Sequence, residues 1–211
     1  MKISSRMIYW IGGSPCSGKS TIAELLTDKY DLIYYKCDEA YQKHIERCKA
    51  DLHPIMTKIK GLSINGIFSR PLEQQVKETI MFYKEEFGMI LGDIDRIVSS
   101  KPLLIEGAAI LPDVVFPLLS NLNHGIWIIP TADFQIEQYS KREWIHSILE
   151  ECQDPNQSFE NWMNRDIQFA EYINKDAHSK GLKLIKVDGR ASIEDNLAIV
   201  EEHFKLTKKR Y

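Results

Sequence analysis

The chain contains 211 residues, of which 44% are hydrophobic and 27% charged, a composition close to that of ordinary globular proteins. This length predicts one α/β domain across residues 1–211. The net charge of −3 gives no electrostatic argument for a nucleic-acid partner or an anionic membrane, and the basic cluster at 208–210 is interpreted as a solvated tail.

Short apolar runs alternate with longer segments of helical period, which predicts a parallel β-sheet flanked by helices. The predicted strands are residues 7–11, 32–37, 103–105, 126–129 and 182–187. Lys183 and Lys186 place the last strand at an edge of the sheet, because a charge there discourages unwanted pairing. The predicted helices are residues 20–30, 38–50, 72–87, 114–122 and 193–204, the last opening with a capping box formed by Ser192 and Asp195.

The segment 133–180 follows the fourth predicted strand, is charged and contains tryptophan. It is interrupted at Asp154-Pro155, which predicts two helices joined by a turn. A helical pair of this length is large enough to cover a site at the end of the sheet. We therefore expect residues 133–180 to form a helical lid within the single domain.

A glycine-rich loop lies between the first predicted strand and the first predicted helix. Residues 13–20 match G-x-x-x-x-G-K-[ST] at every specified position, and strand, loop and helix is the order that this phosphate-binding motif requires. The predicted nucleotide-binding residues are Gly13, Ser14, Pro15, Cys16, Ser17, Gly18, Lys19, Ser20 and Thr21.

Each residue type in this loop suits a phosphate. Gly13 and Gly18 permit backbone angles and close approaches that a side chain would prevent. The loop N–H groups and the N-terminus of the following helix then attract the phosphates. Lys19 provides a point charge for the β- and γ-phosphates, and the Ser20 hydroxyl is suited to bind magnesium. The motif therefore predicts that ATP and Mg²⁺ bind here, although it does not by itself distinguish ATP from GTP.

The guanine-reading pattern N-K-x-D is not matched, since Asp176 follows Asn174-Lys175 one residue too early. The chain instead resembles the small-molecule kinase branch of P-loop proteins, which contains gluconate, shikimate and nucleoside monophosphate kinases, chloramphenicol phosphotransferase and zeta toxins. The resemblance covers most of the chain and is highly specific only in the phosphate loop. It implies a five-stranded parallel sheet in a three-layer α/β/α fold with a helical lid.

Two acids follow predicted strands. In the resembled branch, the second strand commonly ends in an acid that faces the substrate, which implies that Asp38 accepts a hydroxyl proton or positions the acceptor. Glu106 ends the third strand, where the resemblance implies a place near the water shell of the metal. Glu106 is also a candidate for the base, or an acid that only ends the strand in a turn, and the alternative role of Asp38 is to cap the following helix.

Related kinases close a lid whose arginines reach the transferred phosphoryl group, which makes Arg142 and Arg165 the candidates here. A surface ion pair is the other interpretation of each arginine. Asp188 and Gly189 follow the last strand, where such kinases wrap backbone around adenine. Between the second and third strands, Arg70, Gln74 and Gln75 are candidates for reading the acceptor, although no pattern identifies it.

No run approaches the roughly 18 apolar residues of a membrane span, the start lacks a signal-peptide pattern, and the four cysteines form no CxxC pair. We therefore expect a cytoplasmic protein, monomeric or homodimeric. The predicted activity is transfer of the γ-phosphoryl group of MgATP to a small molecule, which is a metabolite, a nucleoside or nucleotide, or a nucleotide sugar. The alternative is a nucleotide-dependent regulatory protein with only weak ATP hydrolysis.

Overall fold

A computed structural model describes residues 6–206, so the basic cluster at 208–210 lies outside the described residues. Five strands form one parallel sheet: β1 (Ile8–Gly12), β2 (Ile33–Lys36), β3 (Leu103–Glu106), β4 (Gly125–Pro130) and β5 (Lys183–Val187). Their spatial order is β2-β3-β1-β4-β5. The predicted five-stranded parallel sheet is confirmed, and β5 lies at an edge as Lys183 and Lys186 predict.

Ten α-helices connect or flank these strands in the described part of the chain. They are α1 (Lys19–Tyr30), α2 (Cys37–Arg47), α3 (Pro54–Lys60), α4 (Ile64–Phe68), α5 (Leu72–Ile94), α6 (Pro112–Val115), α7 (Ala132–Ser140), α8 (Glu143–Leu149), α9 (Pro155–Ser179) and α10 (Ile193–Phe204). Short 3₁₀ turns occupy Phe116–Leu118 and Leu122–His124.

The side chains of the sheet alternate between two hydrophobic layers, as the period of a strand requires. Tyr9 and Ile11 pack with α1 and α10 on one face, whereas Ile8 and Trp10 pack with α5 and α9 on the other. Both faces are therefore covered by helices, which explains why β1, β3 and β4 are buried along their whole length. The architecture is a three-layer α/β/α fold.

The predicted helix 114–122 is wrong. The helix α6 ends at Val115, and a 3₁₀ turn replaces the next turn of helix. Pro117 explains the end of the helix, because it has no N–H to bond the carbonyl of Asp113. Two other predicted ends shift: α2 stops at Arg47, and α5 continues to Ile94. The helices α3 and α4 were not predicted.

The predicted break at Asp154-Pro155 is confirmed: the Asp154 carboxylate caps α9 by accepting from the N–H of Gln157 at 3.0 Å. A second break at Lys141-Arg142 separates α7 from α8, so the segment contains three helices rather than the two predicted. The C-terminal half of α9 packs against the sheet through Phe169 and Ile173. The predicted lid role of residues 133–180 stays a prediction, and residues 132–166, which precede this half of α9, are called the lid segment.

A smaller hydrophobic cluster joins α4, α7, α8 and the start of α9. Its members are Phe68, Tyr139, Ile145, Leu149, Cys152, Trp162 and Met163, and the tip of the phosphate loop packs against it through Cys16. This cluster connects the phosphate loop to the segment 132–166. Within residues 6–206, no helix combines the length and the apolar character needed to cross a membrane.

The helix α2 is fixed to α5 by a buried ion cluster. The imidazole of His44 is fully buried, with Nδ1 3.0 Å from Oε1 of Glu86 and Nε2 3.0 Å from Oδ2 of Asp93. Arg47 and the hydroxyl of Tyr35 also donate to Asp93. Only the imidazolium ion has two N–H donors, so two carboxylate partners favour the charged form. Burial lowers the pKa of His44, but its bonds to Glu86 and Asp93 raise it more, and the net pKa lies above the usual value.

We expect His44→Gln to lower the free energy of unfolding by about 3 kcal/mol near pH 6, because it removes one partner of a buried charge pair. A histidine whose folded pKa is raised stabilises most below its unfolded pKa of about 6.5. That contribution is lost as the pH rises through the folded value. Burial also raises the pKa of Glu86, so the contribution of this carboxyl to stability likewise falls as the pH rises. Asp93 has a lowered pKa despite its partial burial, because His44 and Arg47 bond it, so its contribution is lost only in acid.

The measurement is urea unfolding of both proteins between about pH 6 and pH 9. The difference between wild type and variant should shrink across that interval. His178→Gln, at an exposed position near the end of α9, is the control and should show a small difference that does not depend on pH. A large His44→Gln effect that stays constant with pH would show that the imidazole is neutral.

Candidate functional site

The phosphate loop begins where β1 ends, at the carboxyl edge of the sheet. The register brings Ile11 beside Glu106, and Glu106 beside Lys36 of β2, so three strand ends lie at one level. Gly13 has a φ of 134°, and a Cβ there would lie 1.8 Å from the carbonyl oxygen of Ile128. Only glycine therefore lets the chain leave β1 so close to β4.

The side chain of Lys19 is buried and lies between the loop and Glu106. Its Nζ donates to the carbonyl oxygen of Ser14 at 2.8 Å and to Oγ of Ser17 at 3.3 Å. Oε1 of Glu106 lies 4.0 Å from the same nitrogen. The other oxygen of Glu106 accepts a 2.8 Å hydrogen bond from the hydroxyl of Tyr34. An ammonium and a carboxylate therefore share the floor of the loop, beside one another and shielded from water.

Two further features of the loop suit a phosphate. The hydroxyl of Ser14 is fully buried, and its oxygen has no hydrogen-bond partner among residues 6–206. Buried polar atoms without partners are rare, and a ligand is one reason for them. Gly18 precedes α1 with a φ of 78°, so the N-terminus of a twelve-residue helix points its N–H groups toward the loop.

A cavity of about 370 Å³ opens beside the loop and is called the loop cavity. Its lining includes the loop residues Cys16, Ser17 and Gly18, the lid-segment residues Phe134, Gln138 and Arg142, and the residues Val187, Gly189, Ala191, Ile193 and Asn196 that follow or end β5. The volume falls in the range of small-molecule sites. The structure thus brings together three of the predicted regions, namely the phosphate loop, Arg142 and Gly189.

The backbone conformation and the neighbouring ring require a glycine at position 189. Its φ is 84°, and a Cβ would lie 2.8 Å from the ring of Phe134. The glycine therefore lets the chain after β5 pass directly against an aromatic ring of α7. The neighbouring Asp188 accepts a backbone hydrogen bond from Arg190 at 3.0 Å, which closes the turn. The role of both residues toward adenine stays a prediction.

Arg142 is the residue that precedes α8, at the second break in the segment 132–166. Its guanidinium carbon lies 5.2 Å from the centre of the Tyr139 ring and 6.0 Å from that of Trp144. Burial raises the pKa of the Cys16 thiol, while Arg142 and Lys19 lower it and Asp166 raises it. The charge of Arg142 therefore acts on the tip of the phosphate loop.

Asp38 lies in the first turn of α2, two residues beyond the end of β2. Lys36 rather than Asp38 is the capping residue of α2, so the interpretation of Asp38 as a helix cap is wrong. The carboxylate is exposed. Burial and Glu106 raise the pKa of Tyr34, with a smaller contribution from Asp38. Burial, Asp166 and Glu86 raise the pKa of Tyr83, again with a smaller contribution from Asp38. The role of Asp38 toward an acceptor stays a prediction.

The second cavity, called the arginine cavity, has a volume of about 140 Å³. It is lined by side chains of α2, α3, α4, α5 and α9 and of the turn after α4: Tyr41, Ile59, Ile67, Arg70, Glu78, Thr79, Phe82, Tyr83 and Arg165. It shares no lining residue with the loop cavity. The two predicted lid arginines are thus separated, since Arg142 lines one cavity and Arg165 the other.

Arg165 is held in place from two sides. Its Nε and Nη2 lie 2.8 and 2.7 Å from Oδ1 of Asp166, and its guanidinium carbon lies 5.6 Å from the ring centre of Phe68. Asp166 is buried and accepts further hydrogen bonds at Oδ2, from Tyr139 at 2.8 Å and Trp162 at 3.2 Å. The interpretation of Arg165 as one side of an ion pair with Asp166 is confirmed, and that pair is buried rather than on the surface.

Arg70 and Gln74 both contact Glu78. Arg70 forms an ion pair with Glu78 through Nη1 and donates from Nε and Nη2 to the carbonyl oxygen of Ile67. Gln74 donates to Glu78 at 2.9 Å, so it supports the wall of the cavity. Gln75 is buried and donates to the carbonyl oxygens of Phe68 and Arg70, which fixes the turn that presents Arg70. Roles for Arg70 and Gln74 toward an acceptor stay predictions.

Sequence reasoning missed residues that form hydrogen bonds or ion pairs with the predicted site residues. Tyr34 and Glu78 were not singled out, although they bond Glu106 and Arg70 respectively. Tyr34 and Glu106 are 72 residues apart, and Arg70 and Glu78 are 8 apart. The sequence alone therefore does not show that these side chains meet. Only Asp166, adjacent to Arg165, carried a local signal.

No family model and no curated protein sequence matches the chain. Among solved structures, the protein TT1252 from Thermus thermophilus is similar with a TM-score of 0.51 and 14% identity, over 97% of this chain and 100% of that one. Shikimate kinase from Aquifex aeolicus is similar with a TM-score of 0.46 and 20% identity, over 94% of this chain and 96% of that one. Identities this low concern the fold alone, which is a three-layer α/β/α fold around a parallel sheet in the order β2-β3-β1-β4-β5.

Proposed function

We propose that the protein is an ATP-dependent kinase that transfers the γ-phosphoryl group of MgATP to a small-molecule acceptor. The observation that carries the proposal is the buried Lys19, set in a complete phosphate loop beside Glu106, with one cavity bordering the loop and a second, separate cavity lined by Arg70 and Arg165. A protein that only bound nucleotide would need the loop and the first cavity, but not the second.

The loop cavity would take the nucleotide. Its apolar wall of Val187, Ala191 and Ile193 suits a base, and Gly189 lets the backbone approach that base closely. Ser14 and the loop N–H groups would bind the phosphates, with Lys19 on the β- and γ-oxygens. Ser20 and Glu106 are the residues suited to hold Mg²⁺, which would neutralise charge on the phosphates during transfer.

The acceptor would bind in the arginine cavity, with its reacting hydroxyl toward Asp38. The hydroxyl oxygen bonds to the γ-phosphorus as the bond from that phosphorus to the β–γ bridging oxygen breaks, and the hydroxyl proton passes to the Asp38 carboxylate. Glu106 is less suited to this role, because Tyr34 already donates to it and the Lys19 ammonium lies beside it. We therefore assign the proton transfer to Asp38 and the metal shell to Glu106.

Residues 132–166 would serve as the lid, and Arg142 would be the arginine that reaches the phosphoryl group. Its position between two helices allows movement, and its ring contacts with Tyr139 and Trp144 are weak enough to exchange. Arginine suits the role because its planar fork can bridge two phosphate oxygens. Lid closure would exclude water and so protect ATP from hydrolysis. Arg165 is assigned to the acceptor side instead.

The test is a screen of small metabolites for acceptor-dependent ADP release from MgATP. We expect at least one compound that fits the arginine cavity to give one ADP for each phosphorylated product, detected by mass spectrometry. Lys19→Met protein in the same screen is the blank. MgATP binding without acceptor-dependent ADP release across the screen would favour a nucleotide-dependent regulatory protein. Absence of any MgATP-induced rise in melting temperature would contradict nucleotide binding itself.

A further inference from the structure

We infer that Asn196 selects the base of the bound nucleotide, by accepting a hydrogen bond from a purine with an amino group at position 6 and rejecting a purine with an oxygen there. This inference rests on the proposed function and adds to it the residue that reads the base. The phosphate loop does not distinguish bases, because it contacts only phosphates. Part of the base recognition is thereby assigned to a side chain of α10.

The first argument is the hydrogen bonding of Asn196, which lies near the start of α10. Its side chain lines the loop cavity, although only 7% of the residue is exposed. Nδ2 donates to the carbonyl oxygen of Ser192 at 3.1 Å, and because a carbonyl only accepts, this bond fixes the orientation of the amide. Oδ1 is left for the cavity, and no group within residues 6–206 donates to it. A ligand that donates there would complete the bonding of this buried amide.

The second argument is the position of Asn196 relative to the phosphate loop. A Cβ at Gly18 would lie 3.2 Å from Cδ1 of Ile193, so the start of α10 packs against the end of the loop. Asn196 follows Ile193 by three residues, which places the two side chains on one face of the helix, about one turn apart. With the phosphates in the loop, the base is the part of the nucleotide that would lie beside Asn196.

The third argument concerns the charges around this end of the cavity. Four charged residues flank it without lining it: Asp188, Arg190, Glu194 and Asp195. Asp188 pairs with Arg190 at 3.4 Å. The carboxylate of Asp195 accepts from the hydroxyl and the N–H of Ser192, and Glu194 is exposed. The charged side chain in the lining is Arg142, which the proposed function assigns to the phosphoryl group. Recognition of the base is therefore left to neutral groups.

Three side chains with neutral oxygen or nitrogen groups line the cavity, namely Ser17, Gln138 and Asn196. The hydroxyl of Ser17 accepts from Lys19 at 3.3 Å, so it belongs to the phosphate end. No hydrogen bond from the described part of the chain holds the amide of Gln138, so this amide can present either its oxygen or its nitrogen. Asn196 cannot turn without losing its bond to Ser192. Among these three, Asn196 therefore presents a fixed acceptor to a base.

A fixed acceptor distinguishes purines by their group at position 6. Adenine has an amino donor there, whereas guanine has a carbonyl oxygen. The amine would donate to Oδ1 of Asn196. The oxygen would instead leave two acceptors facing one another with no proton between them, which is costly in a buried place. Hypoxanthine has the same oxygen as guanine but lacks the 2-amino group, so it is the simpler probe.

Two other roles for Asn196 make a different prediction. The amide would serve only the helix if its bond to Ser192 were all that it contributes, and it would read the sugar if Oδ1 accepted from a ribose hydroxyl. In both cases, a substitution of Asn196 changes the affinity for every purine nucleotide by the same factor. Base recognition predicts that the ratio of two affinities changes. This ratio therefore separates the roles.

The experiment titrates full-length protein by calorimetry with the Mg²⁺ complexes of ADP, IDP and purine riboside 5′-diphosphate. These ligands share ribose and phosphates, and their bases carry an amine, an oxygen and a hydrogen respectively at position 6. We expect wild type to bind ADP at least about tenfold more tightly than either of the others, which corresponds to about 1.4 kcal/mol. Equal binding of the three, or tighter binding of IDP, would overturn the inference.

Variants then test the residue. Asn196→Leu keeps the approximate size of the side chain and removes the acceptor, so the advantage of ADP over both other ligands should fall about tenfold. Asn123→Leu is the matched control, because Asn123 also donates from its amide to a backbone carbonyl, that of His203 at 2.8 Å, but does not line the cavity. It should keep the advantage of ADP.

If Asn196→Leu does not fold, Asn196→Ala removes the same oxygen without adding apolar bulk and should show the same fall. An advantage of ADP that survives in the folded Asn196 variant would show that other groups read the base, and it would contradict the assignment. Failure of all three diphosphates to bind wild type would count against the proposed function itself. Binding of all three with an unchanged ratio counts only against this inference.

Discussion

Lys19→Met is expected to lower turnover by about 10²–10³-fold or more, because it removes a preorganised cation from the transferring phosphates. It should also remove most of the stabilisation by nucleotide. For wild type, MgATP at about 100 times its dissociation constant adds about 2.7 kcal/mol to the free energy of unfolding. The measurements are acceptor-dependent ADP release and the melting temperature with and without MgATP. Methionine fills the space of the lysine stem, so the apo protein should remain folded.

Lys183→Met is the matched control, since Lys183 is an exposed lysine on the edge strand β5. It should change neither turnover nor the melting shift. Lys19→Met also leaves Glu106 with Tyr34 as its bonded partner but without the ammonium 4.0 Å away. A normal MgATP-induced melting shift in Lys19→Met would show that the loop does not bind the nucleotide phosphates.

Asp38→Asn is expected to reduce kcat by about 10²–10⁴-fold while the KM for ATP stays near normal, because the amide cannot accept the hydroxyl proton. Asparagine keeps the size of the side chain and suits the first turn of a helix. Steady-state kinetics with the acceptor identified by the metabolite screen provide the measurement. The rate should fall by the same factor at saturating acceptor, because the substitution slows the chemical step.

The neighbouring Glu39→Gln is an unusually close control. Glu39 lies in the same first turn of α2 and its side chain is 77% exposed. Both substitutions remove one negative charge from the helix start, so a general electrostatic effect would appear in both. Full activity of Asp38→Asn would leave Glu106 as the base and reduce Asp38 to a favourable charge at the start of α2.

The sheet was predictable from the sequence because its strands are short apolar runs separated by long helical segments. The phosphate loop was predictable because its residues are contiguous. The end of α6 was not predicted, although Pro117 carried the signal. The helices α3 and α4 are seven and five residues long, too short for a clear period. The second break at Lys141-Arg142 has no proline or glycine to mark it.

The sequence predicted individual residues of the candidate site, but not which of them lie together. Arg142 and Arg165 looked equivalent in the sequence, since both follow the fourth strand within helical segments. The structure separates them, because the buried Asp166 and the ring of Phe68 hold Arg165 beside the arginine cavity. Pairing of this kind depends on residues distant in the chain, such as Phe68 and Arg165, and a single sequence does not show which of them meet.

The two cavities are lined by residues from different parts of the chain. The loop cavity is built from residues 16–18, 134–142 and 187–196, whereas the arginine cavity takes its wall from residues 41–83 and only Arg165 from elsewhere. After a gene duplication, substitutions in residues 41–83 would alter the wall of one cavity without touching the lining of the other. The fold therefore allows the ligand of the arginine cavity to change during evolution while that of the loop cavity is retained.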